Sequence, residues 1–337
     1  MKEFMNTALS FEDRARLLVS EMTLEEKISQ MLHYAPAIER LAVPAYNWWN
    51  EGLHGVARAG VATVFPQAVA MASSFDKALL HEVASVIADE GRAKHHEFAR
   101  QDDRDIYKGL TYWSPNINIF RDPRWGRGHE TYGEDPYLTG ELGLAFINGL
   151  QGNDPKYLKL AACAKHFAVH SGPENIRHSF DAQVSQKDLW ETYLPAFEKA
   201  VKVGNVESVM GAYNRTNGEP CCGSLTLLQE ILRDRWGFKG HVVSDCWAIC
   251  DFHLHHKVTK TPQESAAMAV KNGSDLNCGK TYASLLSAID QDLLQEEDIN
   301  RSCVRLFETR MRLGMFDNDE DVAYSQIPYE VNDQPKH

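Results

Sequence analysis

The stretch Gly240-His241-Val242-Val243-Ser244-Asp245-Cys246-Trp247 is an apolar run that stops abruptly at a carboxylate. It reads as a short buried strand delivering one acid to a rim, with Trp247 beside it as an aromatic platform. In a parallel α/β barrel the reacting groups gather at the C-terminal ends of the strands, so Asp245 is a candidate nucleophile. The competing role for Asp245 is the N-cap of the following helix.

Four further segments carry groups that could hold a substrate. Asn47-Trp48-Trp49-Asn50-Glu51-Gly52-Leu53-His54-Gly55 crowds two indoles, a carboxylate and an imidazole together. Indole faces stack on the C–H faces of sugar rings while Glu51 and His54 bind hydroxyls, which suits a carbohydrate pocket; the alternative is an aromatic corner of the core. Arg121 to Glu130 is interrupted by Pro123, Gly126 and Gly128 and must be loop. Its arginines either staple the structure or clamp a ligand, the first role fitting Arg124 and the second Arg127. Lys165-His166-Phe167 ends one apolar run and Met210-Gly211-Ala212-Tyr213-Asn214 another, so Lys165, His166 and Tyr213 stand at strand exits. Tyr213 can hydrogen-bond the Asp245 carboxylate, whereas Asp275 fits a structural cap or ion pair better. A metal centre on His166, His170 and His178 is a further reading, without recognisable ligand spacing.

Short apolar runs alternating with amphipathic segments are what position these groups. Strands are expected at Ala62 to Phe65, Leu110 to Ile119, Leu160 to Val169, Glu207 to Tyr213, His241 to Asp245 and Ser274 to Asn277. Helical patterns lie at Ser10 to Ser20, Thr23 to Met31, Asp76 to Gln101, Pro136 to Leu150, Ser185 to Val203, Ser224 to Trp236, Pro262 to Asn272, Tyr282 to Asp290 and Glu296 to Leu313. Thr23-Leu24-Glu25-Glu26 opens the second as a capping box. Repeated βα units with apolar entries and polar exits predict an α/β fold of the TIM-type (β/α)8 barrel kind, regular or irregular. A doubly wound sheet is the runner-up, and no Gly-rich dinucleotide fingerprint follows an early strand. Residues 1–316 form the barrel on this reading, and the acidic, aperiodic residues 317–337 read as a linker.

Composition narrows the partners. The 337 residues are 43% hydrophobic and 24% charged, ordinary for a globular chain, and the net charge of −12 argues against a nucleic-acid partner. The longest uncharged run, Ala59 to Phe75, is too short and polar to span a membrane. Seven cysteines without paired Cys-x-x-Cys spacing point to neither a disulfide framework nor a zinc ribbon. With no apolar signal core in the first twenty residues, the expected location is cytoplasmic, or periplasmic or secreted if the N-terminus is trimmed.

Taken together, Trp49 to Gly55, Arg121 to Glu130, Lys165 to Phe167, Met210 to Asn214 and Ser244 to Trp247 resemble the N-terminal catalytic domain of glycoside hydrolase family 3, through nearly the whole chain. The resemblance implies a barrel whose nucleophile in a retaining mechanism is Asp245, with substrate contacts at Glu51, Arg127, Lys165, His166 and Tyr213. It implies an oligosaccharide or glycoside substrate, and no metal or organic cofactor. Glu51 stands where β-glucosidases of the family place Asp, and Tyr46 to Glu51 is similar to the β-xylosidase and α-arabinofuranosidase branch. The expected activity is exo-hydrolysis of terminal β-D-xylosyl, or β-D-glucosyl, residues.

A retaining glycosidase also needs a second carboxyl about 5–5.5 Å from the nucleophile. Two-domain members of the family carry it on an α/β sandwich domain after the barrel, supplied here in cis or in trans. The single-domain branch uses an Asp-x-His pair on the loop after Lys-His-Phe, where this chain has Ile176-Arg177-His178. His178, lacking that Asp, and Glu174 are the acid/base candidates within the chain. The alternative function is a catalytically impaired sugar-binding barrel or subunit that needs a partner domain.

Overall fold

The computed structural model describes residues 2–170 and 172–337. Its centre is a parallel sheet of four strands, β1 (Thr111–Tyr112), β2 (Ala161–Phe167), β3 (Ser208–Gly211) and β4 (His241–Ser244), paired in chain order. Lys165, Met210 and Val243 lie side by side across the last three. Every residue of β2, β3 and β4 is buried, as expected when both faces of a parallel sheet are covered. Side chains alternate: Ala162, Ala164, Val209 and Val242 join one core cluster, and Cys163, Met210 and Val243 join the other. Gly240 lets β4 enter against β3, because a Cβ there would sit 1.9 Å from the Glu207 carbonyl oxygen.

The sheet curls. Past β4, Val243 bridges Leu276 and Asn277 bridges Leu32, both parallel; past β1, Tyr112 bridges Asn50. Tyr34–Ala35 and Tyr46–Asn47 pair antiparallel between these edges. Around the sheet lie α1 (Phe11–Ser20), α2 (Leu24–Gln30), α3 (Lys77–Arg100), α4 (Pro136–Gln151), α5 (Pro195–Lys202), α6 (Pro262–Lys271) and α7 (Glu296–Arg312). The capping box expected at Thr23 is present in both directions, Glu26 N–H to Thr23 Oγ1 at 3.3 Å and Thr23 N–H to Glu26 Oε2 at 2.9 Å. The helix expected over Ser185 to Val203 is interrupted by a π-type turn at Leu189–Tyr193 and restarts at Pro195, which has no N–H to continue the ladder.

Three expectations need correction. Ala62 to Phe65 is not a strand: Thr63 is held by its N–H and hydroxyl on Glu90, Phe65 N–H donates to the His54 carbonyl, and Val61 and Val64 face outward. Leu110 to Ile119 is a strand only at Thr111–Tyr112 and rejoins β2 at the Asn116–Lys165 bridge, since Pro115 cannot donate to a ladder. Cys246 and Cys278 are joined in a disulfide, 32 residues apart in sequence; the Val243–Leu276 bridge brings the two strand exits together.

Residues 317–337 pack on the fold as a strap. Val322 and Tyr324 are buried with Tyr157, and Asp317 forms a fully buried ion pair with Arg14 at 2.5 Å. At its far end Asp333 N–H and His337 Nδ1 meet the Glu90 carboxylate that also holds Thr63.

Asp275 has the structural role expected for it. Its oxygens accept from Val242 N–H (2.9 Å), Arg233 (3.0 Å), Arg305 (2.9 Å) and Ser302 (3.0 Å), and the two arginines hold its carboxyl below the ordinary range despite burial. A carboxyl depressed in this way stabilises the fold above its unfolded value and loses that contribution as pH falls through the folded value. Asp275→Ala strands Arg233 and should destabilise the chain by about 3–5 kcal/mol in denaturant unfolding; a loss under about 1 kcal/mol, the range of an exposed pair, would refute the clamp.

Candidate active site

Apart from Arg127, which comes from the loop ahead of the short turn Gly128–Glu130, the candidate side chains of the cavity are delivered by strand or bridge ends. Asp245 follows β4, Lys165 and His166 belong to the last turn of β2, Tyr213 follows β3, and Glu51 follows the residue bridged to β1. Asp245, Glu51, Arg127, Lys165, His166 and Tyr213 all line one cavity of about 190 Å³, together with Trp247. A hollow of about 280 Å³ adjoins it and shares Trp49, Glu51, Arg127 and Lys165.

Asp245 is buried, and its Oδ1 accepts from the Cys246 N–H at 2.8 Å. Oδ2 has no hydrogen-bond partner among the described residues and lies 3.6 Å from His166 Nε2. Burial pushes the carboxyl above its usual value, opposed by Arg127, the Cys246 N–H and Lys165. Backbone geometry adds a short turn: Ala248 N–H donates to the Asp245 carbonyl, so the competing cap role is met by the backbone and not by the carboxylate.

The surrounding groups hold one another in fixed states. Asn118 Oδ1 accepts from both the His166 N–H (2.7 Å) and His166 Nδ1 (3.0 Å), so the ring proton sits on Nδ1 and Nε2 accepts from Arg127 Nη1 at 3.0 Å. Burial, then the charge of Arg127, keeps His166 far below its usual pKa and neutral. Arg127 is clamped by Glu130 at 2.7 and 2.8 Å. Lys165 Nζ lies 3.1 Å from Glu51 Oε2, and Trp49 Nε1 donates to Glu51 Oε1 at 3.2 Å. Tyr213 is raised well above its usual value by burial and by Asp245. Trp49 stacks on Trp113 and meets Trp247 edge-on at 6.3 Å, which gives the cavity an aromatic wall. Arg124, by contrast, is exposed and forked onto Asp122, the staple role expected of it.

The two acid/base candidates lie apart from this cavity's wall. Glu174 pairs with Arg177 at 3.0 Å and packs where a Cβ on Gly126 would touch it, joining two loops. His178 does have a carboxylate partner: Asp251 Oδ2 lies 2.8 Å from Nδ1, and the ring meets Tyr213 edge-on at 4.9 Å. His166 and His170 are neighbours, but His178 is drawn away by Asp251, and among the described residues no group of three His, Cys, Asp or Glu side chains converges as metal ligands. Sequence reasoning missed Asn118, Trp113, Asp251 and the Cys246–Cys278 bond. The polar exit Ser114 to Asn118 was a signal for Asn118; Asp251, 73 residues from His178, left none.

The profile of the glycosyl hydrolase family 3 N terminal domain matches residues 15–309. The chain is 48% identical over 332 residues to a xylan 1,4-beta-xylosidase of Xylanibacter ruminicola, covering 97% of this chain and 39% of that protein. It is 42% identical over 348 residues to a probable beta-D-xylosidase 7 of Arabidopsis thaliana, covering 97% and 44%. Among solved structures it is similar to a GH3 exo-beta-xylosidase in complex with a xylobiose aziridine activity-based probe, with TM-score 0.92 and 34% identity over 98% of this chain and 44% of that one. A β-glucosidase from Erythrobacter marinus superposes with TM-score 0.86 and 26% identity, over 100% of this chain and 49% of that one. The chain thus spans less than half the length of these relatives.

The charge balance around Asp245 predicts its titration. Carbon-13 NMR should give Asp245 a midpoint above the ordinary value of about 3.9, and Arg127→Gln should raise it further by removing a favourable charge. A midpoint at or below the ordinary value would show that burial does not dominate.

Proposed function

The chain belongs to glycoside hydrolase family 3, and from that premise we propose that it is the barrel of a retaining exo-β-glycosidase that removes terminal β-D-xylosyl, or β-D-glucosyl, residues from oligosaccharides. The observation that carries the reading is the Asp245 carboxylate, with one oxygen unpaired, in a sugar-sized cavity walled by indoles and charged hydrogen-bonding groups. The relatives' names, xylosidases and glucosidases, support the substrate class. The curled parallel sheet, continued by bridges through residues 32 and 50, supports a (β/α)8 barrel over residues 1–316, with residues 317–337 leading toward a further α/β sandwich domain.

In this mechanism Asp245 Oδ2 attacks the anomeric carbon as the glycosidic bond breaks, forming a glycosyl ester that water then hydrolyses. Lys165 and Arg127 donate to ring hydroxyls, Glu51 accepts from them, and neutral His166 and Tyr213 add hydrogen bonds that strengthen as charge develops. Trp247 and Trp49 shield the sugar from water. We further propose that the extra methylene of Glu51, relative to Asp, fills the space of a hexose hydroxymethyl. Glu51→Asp should then shift the ratio of kcat/KM for aryl xyloside over aryl glucoside toward glucoside by about 10-fold, the scale of 1–3 kcal/mol for one methylene; an unchanged ratio would sink the steric account.

The leaving group also needs a proton. Glu51, the other carboxylate in the cavity, is engaged by Lys165 and Trp49, so the donor on this reading lies on a sandwich domain in cis or trans; the greater length of the relatives supports it. A second donor reading rests on the His178–Asp251 pair, an imidazole backed by a buried carboxylate beside Tyr213. The Cys246–Cys278 bond favours a periplasmic or secreted setting over the cytoplasm.

A dinitrophenyl fluoroxyloside, which leaves without protonation, should label Asp245, located by peptide mass spectrometry. Alkyl xylosides should turn over far more slowly than dinitrophenyl xyloside, and His178→Asn should widen that gap only if His178 is the donor. A label elsewhere removes Asp245 as nucleophile, and no label on folded protein that binds xylose supports a sugar-binding barrel.

A further inference from the structure

The Asp245 carboxylate receives one backbone hydrogen bond, whose donor is the N–H of a disulfide-bonded cysteine, and the Tyr213 hydroxyl faces the same carboxylate. Cys246 N–H meets Oδ1 at 2.8 Å, while Oδ2 has no hydrogen-bond partner among the described residues. The backbone contribution to the rotation of the carboxylate is therefore set by the plane of the Asp245–Cys246 peptide. That peptide is tied across to the neighbouring strand exit by the bond from Cys246 to Cys278. We propose that this disulfide is a positioning element for the nucleophile, so that its reduction slows glycosyl transfer to Asp245; the proposal rests on the reading of Asp245 as nucleophile.

The turn after Asp245 depends on the same neighbour. Trp247 holds a left-handed backbone, φ 65°, which a residue with a side chain adopts only when its surroundings impose it. Its N–H donates to the Cys278 carbonyl at 2.6 Å, and Gly279, φ 139°, passes close by, where a Cβ would lie 3.4 Å from the Trp247 nitrogen. On the other side Cys278 N–H donates to Ser244 Oγ at 3.1 Å. With Asn277 Nδ2 also donating to Ser244 Oγ at 3.2 Å, three hydrogen bonds and one covalent bond thus hold residues 244–247 against 277–279, and the covalent one is the strongest of the four. Cys246 also lines the cavity beside Asp245, so a sugar in that cavity stands between a reagent and the sulfur.

Reduction by a dithiol breaks the S–S bond: the two sulfurs take up two electrons and two protons as thiols, and the reagent closes to its own disulfide. The released turn can relax at Trp247, carrying the Cys246 N–H and the carboxylate with it. Displacements of about 1 Å lower rates of oriented attack by about 100-fold.

The test compares the oxidised chain, the chain reduced with dithiothreitol, the re-oxidised chain and a Cys246→Ser/Cys278→Ser variant. The readouts are the rate at which a dinitrophenyl fluoroxyloside labels Asp245, the concentration giving half-saturation, the thiol count after alkylation and far-ultraviolet circular dichroism. We expect labelling to slow by about 10- to 100-fold on reduction and in the variant, with half-saturation changing less, helical signal retained and full recovery on re-oxidation. Xylose should slow the reduction. Equal labelling rates with and without the bond, or all seven cysteines free in the purified native chain, would overturn the proposal. Absence of label on Asp245 in the oxidised chain would instead sink the nucleophile reading, and the positioning role with it. If the double variant does not fold, the cycle of reduction and re-oxidation on the unaltered chain decides.

Discussion

Holding a carboxylate buried while opposing its neutralisation is the constraint to which the rest of the site answers. Burial alone drives Asp245 toward its protonated form, and Arg127 and Lys165 oppose that drift. Neither cation is free: Glu130 clamps Arg127 and Glu51 pairs with Lys165. With His166 held neutral, three carboxylates face two cations, and the cavity keeps an excess of negative charge. In the proposed function such a balance would favour a sugar that becomes cationic at its anomeric carbon more than the neutral ground state. Burial and the Arg127 guanidinium on Nε2 prevent that excess from being discharged by proton uptake on the imidazole.

Much of this was legible in the sequence because strand exits write themselves as apolar runs ending in polar residues. Lys165, Tyr213 and Asp245 were found that way, and their meeting in space follows from the parallel register of β2, β3 and β4. What escaped was long-range or compensated locally. Ala62 to Phe65 has strand-like residues, yet Glu90 on α3 captures Thr63, and no strand partner lies beside it. Asp251 supplies His178 with the acid its own loop lacks, across a separation that spacing rules do not reach. The Cys246–Cys278 bond follows from strand adjacency, which cysteine spacing alone does not encode. The packing of residues 317–337 left no periodic signal, because it is by single anchors, Asp317 on Arg14 and Tyr324 under Asn153 and Asp154.

Stability and function draw on separate buried charges. Asp275 and Arg92 serve the frame: the first gathers two arginines below the sheet, and the second caps the carbonyls of Leu158, Lys159 and Leu313, its burial lowering it to about 10. The reactive end of the sheet contains a different set, tied to one another and to the loops. Substitutions in the first set should be felt as lost folding free energy, and in the second as lost chemistry, because the two networks share no side chain.

Glu90 is the exception to that separation. The same carboxylate receives Thr63, on the loop that runs from His54 and Arg58 of the adjoining hollow, and Asp333 and His337 of the strap. Mechanically it is a cleat to which two lines are made fast, one from the rim of the candidate site and one from the strap. A pull along the strap therefore reaches the rim through Glu90 on helix α3 and through the direct contact of His337 with Thr63, without passing through the sheet.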